Sequence, residues 1–292
     1  MKISYYPGCT LKTNAKNFED SALCSLKQLG VEVEELRRWN CCGTVFSLAT
    51  DDLMHHLAPI RNLIRVKESK QDRVTTLCAM CYNTLKRANE RVKRDREGLE
   101  KIHKFMDEEE ISYEGDVQVL HFLELLRDEI KFENISKKAT KPLHNLKVSS
   151  YYGCLLVRPK EIGIDNLENP TVIDNLMAAL GAIPVDFPYK TECCGAYNTV
   201  NKPEVVAERT FQIVSSAQKL GAEVIAVSCP LCAFNLDFRQ KEAAALYSDL
   251  KKLPVLYFTQ LLALALGCPQ ESLRLDLHFV DPRPLLKQKG LL

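Results

Sequence analysis

The sequence predicts an α/β fold built from two pseudo-symmetric repeats, each a small, mostly parallel sheet flanked by helices. Three observations lead to this prediction: β-rich runs alternate with helical stretches, the cysteines occur in the same order twice, and the residues around them repeat. Strands that alternate with helices form right-handed βαβ units, and such units build parallel sheets.

The predicted elements follow the same order in each half. In the first half, strands are expected at 3–6, 31–34 and 74–77, and helices at 14–29, 51–67 and 82–110. In the second half, strands are expected at 148–152, 183–186 and 224–227, and helices at 171–180, 203–220 and 231–245. A polar segment at 133–145 that contains Pro142 is the expected linker. We therefore divide the chain into domains 1–138 and 139–292.

The cysteines show that the chain is duplicated. Cys9 is followed by 31 residues, a Cys-Cys-Gly triplet, 34 residues and a C-x-x-C motif; Cys154 is followed by 38 residues, a second Cys-Cys-Gly, 33 residues and a second C-x-x-C. The flanks repeat as well: "ISYYPGC" resembles "VSSYYGC", and "VLHFLELL" resembles "VLYFTQLL". Each cysteine group comes just after a predicted strand, at the carboxyl edge where open α/β sheets bind ligands.

Composition limits the functions that the chain can have. The chain has 292 residues, 46% of them hydrophobic, and a formal net charge of +1, which argues against nucleic-acid binding driven by overall charge. The start lacks a secretory pattern, and the most apolar run, 255–268, is too short to span a bilayer and is expected to form a buried helix. We expect a cytoplasmic protein without a membrane span, in which twelve cysteines are hard to explain as disulfides.

Three kinds of site could use the adjacent thiols. A disulfide between neighbours would be strained, because their Cα atoms lie about 3.8 Å apart, below the usual window of roughly 4.4–6.8 Å. A structural zinc site needs four ligands, usually from two short knuckles, whereas each repeat has five cysteines and one C-x-x-C. An iron–sulfur cluster can take thiolates from neighbouring residues, because each thiolate binds a different iron. Gly43 and Gly195 would let the backbone turn sharply beside such a cluster.

The order C-x31–39-CCG-x33–36-C-x2-C, present twice, resembles the CCG domain pattern. The flanks "YYGCLLVRP" and "FVDPRPLL" are similar to the B-type subunit of heterodisulfide reductase (HdrB), and the resemblance covers the whole chain. It implies two noncubane [4Fe–4S] clusters, one at the carboxyl edge of each repeat. It also implies their ligands, which are Cys9, Cys41, Cys42, Cys78 and Cys81 in the first half and Cys154, Cys193, Cys194, Cys229 and Cys232 in the second.

The resemblance also implies a function and partners. The protein would be the catalytic subunit that reduces a disulfide, such as the coenzyme M–coenzyme B heterodisulfide or an analogue, to two thiols. The electrons would come through a ferredoxin-like C-type subunit (HdrC) and a flavin-containing A-type subunit (HdrA), and in a larger complex from a hydrogenase or formate dehydrogenase. The alternatives are an electron relay to a quinone or flavoprotein and a non-catalytic zinc scaffold.

Three further residues receive weaker predictions. Arg158, four residues after Cys154, is a candidate for contacting an acidic group of the substrate, and an ordinary ion pair is the favoured interpretation. Cys24 and Cys268 have no counterpart in the other repeat, so we expect them to be core residues rather than ligands.

Overall fold

A computed structural model describes residues 1–44, 53–107, 109 and 112–292, and it contains two four-stranded, fully parallel sheets. The predicted fold class is thereby confirmed. The first sheet consists of β1 Lys2–Tyr5, β2 Glu32–Glu35, β3 Arg73–Thr76 and β4 Gln118–His121. The second consists of β5 Lys147–Tyr151, β6 Ile183–Pro184, β7 Val224–Val227 and β8 Val255–Tyr257. The strand orders, β2-β1-β3-β4 and β6-β5-β7-β8, are the same in both halves.

The helices differ from the prediction mainly at their ends. The described helices are α1 Lys16–Leu29, α2 Leu57–Glu68, α3 Ala79–Arg94, α4 Arg96–Phe105, α5 Phe122–Glu124, α6 Phe132–Lys138, α7 Val172–Ala179, α8 Pro203–Lys219, α9 Pro230–Phe238, α10 Gln240–Leu246, α11 Phe258–Ala265, α12 Gln270–Leu273 and α13 Arg283–Gln288. A π-helical turn, Leu125–Ile130, continues α5, and 3₁₀ turns cover Leu53–His56, Ala196–Asn198 and Leu275–Leu277.

Three of the predicted helices were wrong in their extent. The helix expected over 231–245 is interrupted at Arg239, which separates α9 from α10. The helix expected over 82–110 is divided at Asp95, whose carboxylate accepts a hydrogen bond from Gly98 N–H at 2.8 Å and so caps the start of α4. The helix expected over the whole of 255–268 begins as a strand, β8. The first two residues of the helix expected over 51–67 lie outside the described residues, as do parts of 82–110.

The strand order places the cysteines at a topological switch point. In each sheet the first strand lies between the second and the third. The second and third strands are therefore added on opposite sides of the first, which makes this the point where the strand order reverses. Ligands of open α/β sheets bind outside the carboxyl ends of the strands on either side of such a point. Cys9 follows β1 and Cys78 follows β3, while Cys154 follows β5 and Cys229 follows β7. The repeated topology therefore creates two equivalent edges.

The two halves share one hydrophobic core. Helix α1 of the first half packs against α11 of the second, where the Phe18 and Tyr257 rings stack with centroids 4.2 Å apart. On the side of α3, Tyr82 donates its hydroxyl hydrogen to the Ile162 carbonyl at 2.8 Å, and Asn83 donates to the Leu155 carbonyl at 2.8 Å. Contacts of this kind fix the position of one sheet edge relative to the other.

The segment predicted as a linker is structured. Its first part forms α6, which packs against α7 of the second half. Farther along, Lys141 N–H donates to the Ala265 carbonyl at 3.0 Å and Leu143 N–H to the Leu180 carbonyl at 2.8 Å. The strands of the two sheets fall on either side of residue 138. The division into domains 1–138 and 139–292 stays a prediction.

Cys24 and Cys268 form a disulfide between the halves, with their Cα atoms 6.3 Å apart. Our expectation that disulfides would be absent is wrong for this pair, although neither residue joins the other ten cysteines. Cys24 lies on α1 and Cys268 follows α11, so the packing of these two helices brings the thiols together. Among the residues described, no helix is long and apolar enough to cross a membrane.

Candidate functional site

The five cysteines of the first half meet at the carboxyl edge of the first sheet. The Cys9 and Cys41 sulfurs are 3.7 Å apart, and the Cys42 and Cys81 sulfurs are 3.6 Å apart. The neighbouring thiols Cys41 and Cys42 are also in hydrogen-bonding contact, as are Cys78 and Cys81. The structure thus brings together all five cysteines that the sequence predicts for this half.

The second half repeats this arrangement. The Cys193 thiol is in hydrogen-bonding contact with Cys154 on one side and Cys194 on the other, and Cys232 contacts both Cys194 and Cys229. Asn235 of α9 reaches the Cys194 carbonyl at 3.3 Å and the Cys194 sulfur at 3.5 Å. The first half has an analogous polar contact, in which the Thr44 hydroxyl lies 2.9 Å from the Cys42 sulfur.

The two groups touch each other where the halves meet. Cys78 and Cys229, each the residue before a helix, have their thiols in hydrogen-bonding contact. Beside them, Ala79 N–H donates to the Ser228 carbonyl at 3.2 Å. The ten sulfurs consequently form a continuous series, in the order Cys9, Cys41, Cys42, Cys81, Cys78, Cys229, Cys232, Cys194, Cys193 and Cys154.

The thiols in each group modify one another's pKa. Hydrogen bonding from Cys41 lowers the pKa of Cys42, and the same contact raises the pKa of Cys41. In the second half, hydrogen bonding from Cys154 lowers the pKa of Cys193 to about 2. One thiol of each pair therefore stabilises its neighbour as the thiolate, which is the form that binds metals.

Two glycines that the sequence prediction overlooked lie closest to the sulfurs. Gly8 has φ +72°, and a Cβ atom there would be 2.9 Å from the Cys81 sulfur; Gly153 has φ +64°, and its Cβ would be 3.3 Å from the Cys232 sulfur. Gly43 and Gly195 do adopt positive φ as expected, but side chains of other residues, not sulfurs, lie nearest to them. The repeated "GC" in "YYPGC" and "YYGC" is the signal that could have identified Gly8 and Gly153.

A tyrosine in each repeat holds the adjacent cysteines in place. Tyr6 donates its hydroxyl hydrogen to the Asn40 carbonyl at 2.9 Å, and Tyr151 donates to the Glu192 carbonyl at 2.5 Å. Each acceptor is the residue immediately before the cysteine pair. Burial, reinforced by nearby thiolates, raises the pKa of both tyrosines, so both hydroxyls stay protonated and remain donors. The repeated "YY" was the available sequence signal.

His121, at the end of β4, positions the first C-x-x-C motif. Its Nδ1 accepts a hydrogen bond from Leu123 N–H at 3.2 Å, so Nε2 carries the hydrogen and donates to the Leu77 carbonyl at 2.8 Å. The side chain is fully buried, and burial lowers the pKa of His121 to about 3. Leu77 precedes Cys78, so a neutral histidine fixes the turn from which that cysteine projects.

Four thiols of the second half line a small recess. It is bounded by Cys154, Cys194, Cys229 and Cys232, together with Met80 of the first half. In the part of the chain that the structure describes, no three cysteine, histidine or acidic side chains converge as they would around a single ion. Five thiols brought together from one repeat match the donor set of an iron–sulfur cluster, which has several irons for them to bind.

Arg158 does not point into this recess. Its guanidinium donates to the Thr191 carbonyl at 3.0 Å and pairs with Glu168 at 3.2 Å. These contacts match the ion-pair interpretation, and a role in substrate contact stays a prediction.

The model of one protein family matches both halves of the chain. It is the CCG cysteine-rich domain, which matches residues 3–86 and 148–237 and so includes all ten cysteines of the two groups.

Two curated proteins are similar over nearly their full length. The chain is 32% identical over 285 residues to the 8-methylmenaquinol:fumarate reductase membrane anchor subunit of Wolinella succinogenes, covering 97% of this chain and 99% of the relative. It is 30% identical over 284 residues to the B-type subunit of a ferredoxin/F420H2-dependent CoB–CoM heterodisulfide reductase from Methanosarcina acetivorans, covering 96% and 94%. Both relatives are named as subunits of reductases.

One solved structure shares the fold. It is a hypothetical protein from Helicobacter pylori, which superimposes with a TM-score of 0.76 at 13% identity. The match covers 96% of this chain and 52% of that protein, so this chain spans about half the length of its structural relative.

Proposed function

The chain belongs to the family of proteins with CCG cysteine-rich domains, together with the B-type subunits of heterodisulfide reductases, and from this premise we propose that it is the catalytic iron–sulfur subunit of a multi-subunit reductase that cleaves a disulfide. The observation that carries the proposal is the contact between Cys78 and Cys229, which joins two matched five-thiol groups. Reduction of a disulfide to two thiols takes up two electrons and two protons, and two equivalent halves can each deliver one electron.

The ten cysteines of the two groups would hold two noncubane [4Fe–4S] clusters, one in each half. Such clusters, when bound, supply one-electron transfer. The chain itself positions the thiolates and excludes water. Cys42, Cys78 and Cys81 are buried, as are their counterparts in the second half, whereas Cys9 and Cys41 are exposed. Electrons would come from a ferredoxin-like C-type subunit, which a flavin-containing A-type subunit would supply.

The test is to disable one half at a time. Cys42→Ser and Cys194→Ser each remove a buried ligand and are expected to lower the iron and sulfide content of anaerobically purified protein by about half. Each variant is also expected to abolish the release of two thiols per disulfide when a low-potential donor is supplied. Zinc in place of iron, or full activity in a variant that has lost one cluster, would contradict the proposal.

A second candidate is an electron relay to a quinone or flavoprotein. The relative from Wolinella succinogenes favours it, because that protein is named as a subunit of a menaquinol-dependent fumarate reductase. The same iron–sulfur groups would serve both functions, so the reacting partner distinguishes them. A relay oxidises a quinol or reduces a quinone in single-turnover spectroscopy and releases no thiol from any disulfide.

A further inference from the structure

We propose that Asn235 is a positioning residue for the second cysteine group, whose side-chain amide orients Cys194 and makes the iron–sulfur group of that half easier to reduce. The inference deepens the proposed function and rests on its iron–sulfur part, whichever molecule finally receives the electrons. It follows from a difference between two otherwise matched halves. The second half offers an amide to the buried cysteine of its Cys-Cys-Gly triplet, and the first half offers a hydroxyl.

The Asn235 side chain, on α9, is fully buried and directed at the cysteine pair. Its Nδ2 lies 3.3 Å from the Cys194 carbonyl and 3.5 Å from the Cys194 sulfur. The carbonyl can only accept a hydrogen bond, so the amino side of the amide faces Cys194. On the opposite side, Oδ1 accepts a hydrogen bond from the Thr199 hydroxyl at 3.1 Å. The amide is therefore oriented from both ends, and its two hydrogens serve both acceptors on Cys194.

The equivalent position in the first half carries a hydroxyl. Thr84 occupies on α3 the position that Asn235 occupies on α9, three residues after the last cysteine of the C-x-x-C motif. Its hydroxyl donates to the Met80 carbonyl at 2.9 Å and lies 2.7 Å from the Thr44 hydroxyl. Thr44 in turn lies 2.9 Å from the Cys42 sulfur. These two hydroxyls carry two hydrogens for three contacts, so a hydrogen bond to the sulfur competes with the other two.

A hydrogen bond to a ligand sulfur changes the free energy of reduction. Reduction adds negative charge to an iron–sulfur group, and part of that charge resides on the ligand sulfurs. A donor directed at such a sulfur stabilises the reduced form more than the oxidised form and so raises the reduction potential. Both Asn235 and Cys194 are buried, and a hydrogen bond is electrostatically stronger in a buried site than in water. A residue that is not itself a ligand therefore contributes to the potential of the second half.

The experiment is a potentiometric titration of the anaerobic holoprotein, followed by electron paramagnetic resonance. Signals that disappear in Cys194→Ser belong to the second half. Asn235→Leu replaces the amide by an apolar group of the same branched shape. It is expected to make reduction of the second half roughly tenfold less favourable, which is a shift of about 59 mV to lower potential for a one-electron couple. The potential of the first half should stay unchanged, and Asn235→Thr, which introduces the first-half residue, should give a smaller shift in the same direction.

Asn89→Leu is the matched control. Asn89 is a buried asparagine on α3, the equivalent helix of the first half, and its Nδ2 donates to the Val117 carbonyl at 3.0 Å. This variant should lose stability as Asn235→Leu does, but it should leave both potentials unchanged. An unchanged potential of the second half in Asn235→Leu, or an equal shift in Asn89→Leu, would overturn the inference.

A measurement on the unmodified protein covers the case in which Asn235→Leu does not fold. With nitrogen-15 in the asparagine side chains, the reduced second half is expected to show a coupling to an amide nitrogen in pulsed electron paramagnetic resonance. The absence of this coupling would overturn the inference.

Iron and sulfide are measured in every sample, which separates the inference from the proposed function. A protein without iron refutes both. An iron–sulfur protein in which Asn235→Leu shifts no potential refutes the inference alone. A shifted potential in a protein that releases no thiol supports the inference and refutes only the cleavage of a disulfide.

Discussion

At the scale of single residues, the closest approach to the sulfurs is made by backbone rather than by side chains. Gly8 and Gly153 combine a positive φ with a missing Cβ, and the space that a Cβ would need is taken by a cysteine sulfur. An L-residue there suffers both backbone strain and a steric clash. This double requirement makes the two glycines part of the candidate site.

Gly8→Ala is expected to reduce the iron content of the first half and to destabilise the protein by about 1–3 kcal/mol, because the new methyl group displaces the Cys81 sulfur. Gly290→Ala is the matched control: Gly290 also has a positive φ, but nothing lies within 4 Å of its Cβ position. The Gly290→Ala variant should lose about 1 kcal/mol of stability and retain all its iron. Iron analysis and urea unfolding measure both, and equal iron loss in the two variants would refute the steric explanation.

The two tyrosines allow a comparison between the halves. The Asn40 carbonyl accepts hydrogen bonds from Tyr6 and from Asn62 Nδ2, each at 2.9 Å, whereas the donor described for the Glu192 carbonyl is Tyr151. Tyr151→Phe should therefore destabilise the protein more than Tyr6→Phe, which is expected to cost about 0.5–1.5 kcal/mol. Urea unfolding of the two variants tests this order. Tyr247→Phe, at the end of α10 and away from the cysteines, is the control, and the reverse order would contradict the prediction.

At the scale of elements, the fourth strand of each sheet was missed because it passes directly into a helix. Residues 119–126 and 255–262 are short, mostly apolar runs, and the periodicity of such a run cannot separate a short buried strand from a buried helix. The strand is formed because β4 pairs with β3 and β8 pairs with β7, which satisfies the backbone hydrogen bonds. Pairing of this kind involves residues far apart in sequence.

The junction of β4 and α5 gives a pH-dependent prediction. His121 is neutral when folded, with its pKa lowered to about 3 by burial, whereas an unfolded histidine binds a proton near pH 6.5. The unfolded state thus binds more protons between these values, and stability falls as the pH drops below about 6.5, by up to about 1.4 kcal/mol per pH unit.

Comparison of variants isolates this contribution. His121→Gln should remove this contribution to the pH dependence of the unfolding free energy, measured by urea unfolding between pH 7.5 and 5.5. The variant should also be less stable at every pH. His144→Gln removes an exposed histidine and should leave the pH dependence unchanged. If the unfolding free energy of His121→Gln changes with pH as steeply as that of the unmodified protein, the buried histidine does not cause the pH dependence.

At the scale of the whole molecule, the halves are held together by packing and by one covalent bond. The disulfide between Cys24 and Cys268 joins α1 to the chain after α11, over a sequence separation of 244 residues. It lies apart from the ten clustered cysteines and has no counterpart within the repeat. It joins the same two segments that pack through the Phe18–Tyr257 stack, so it reinforces an interface that already exists.

A reductant should therefore lower the stability of the unmodified protein by about 2–4 kcal/mol, the usual contribution of a disulfide. Cys24→Ser should be less stable from the outset and insensitive to the reductant. Anaerobic urea unfolding with and without a phosphine reductant measures the difference, and mass spectrometry of peptides identifies the bond. Equal sensitivity of both proteins to the reductant would show that the effect arises elsewhere.

The sequence by itself determined the duplication, the α/β class and the position of each cysteine group after a strand, because these follow from local periodicity and from residue types at fixed spacing. The tertiary structure decided the contact between Cys78 and Cys229, the bond between Cys24 and Cys268, and the small recess that Met80 of the first half lines together with cysteines of the second. Each of these depends on how two distant surfaces pack, and the packing free energy of side chains far apart in the chain leaves no periodic trace in the sequence.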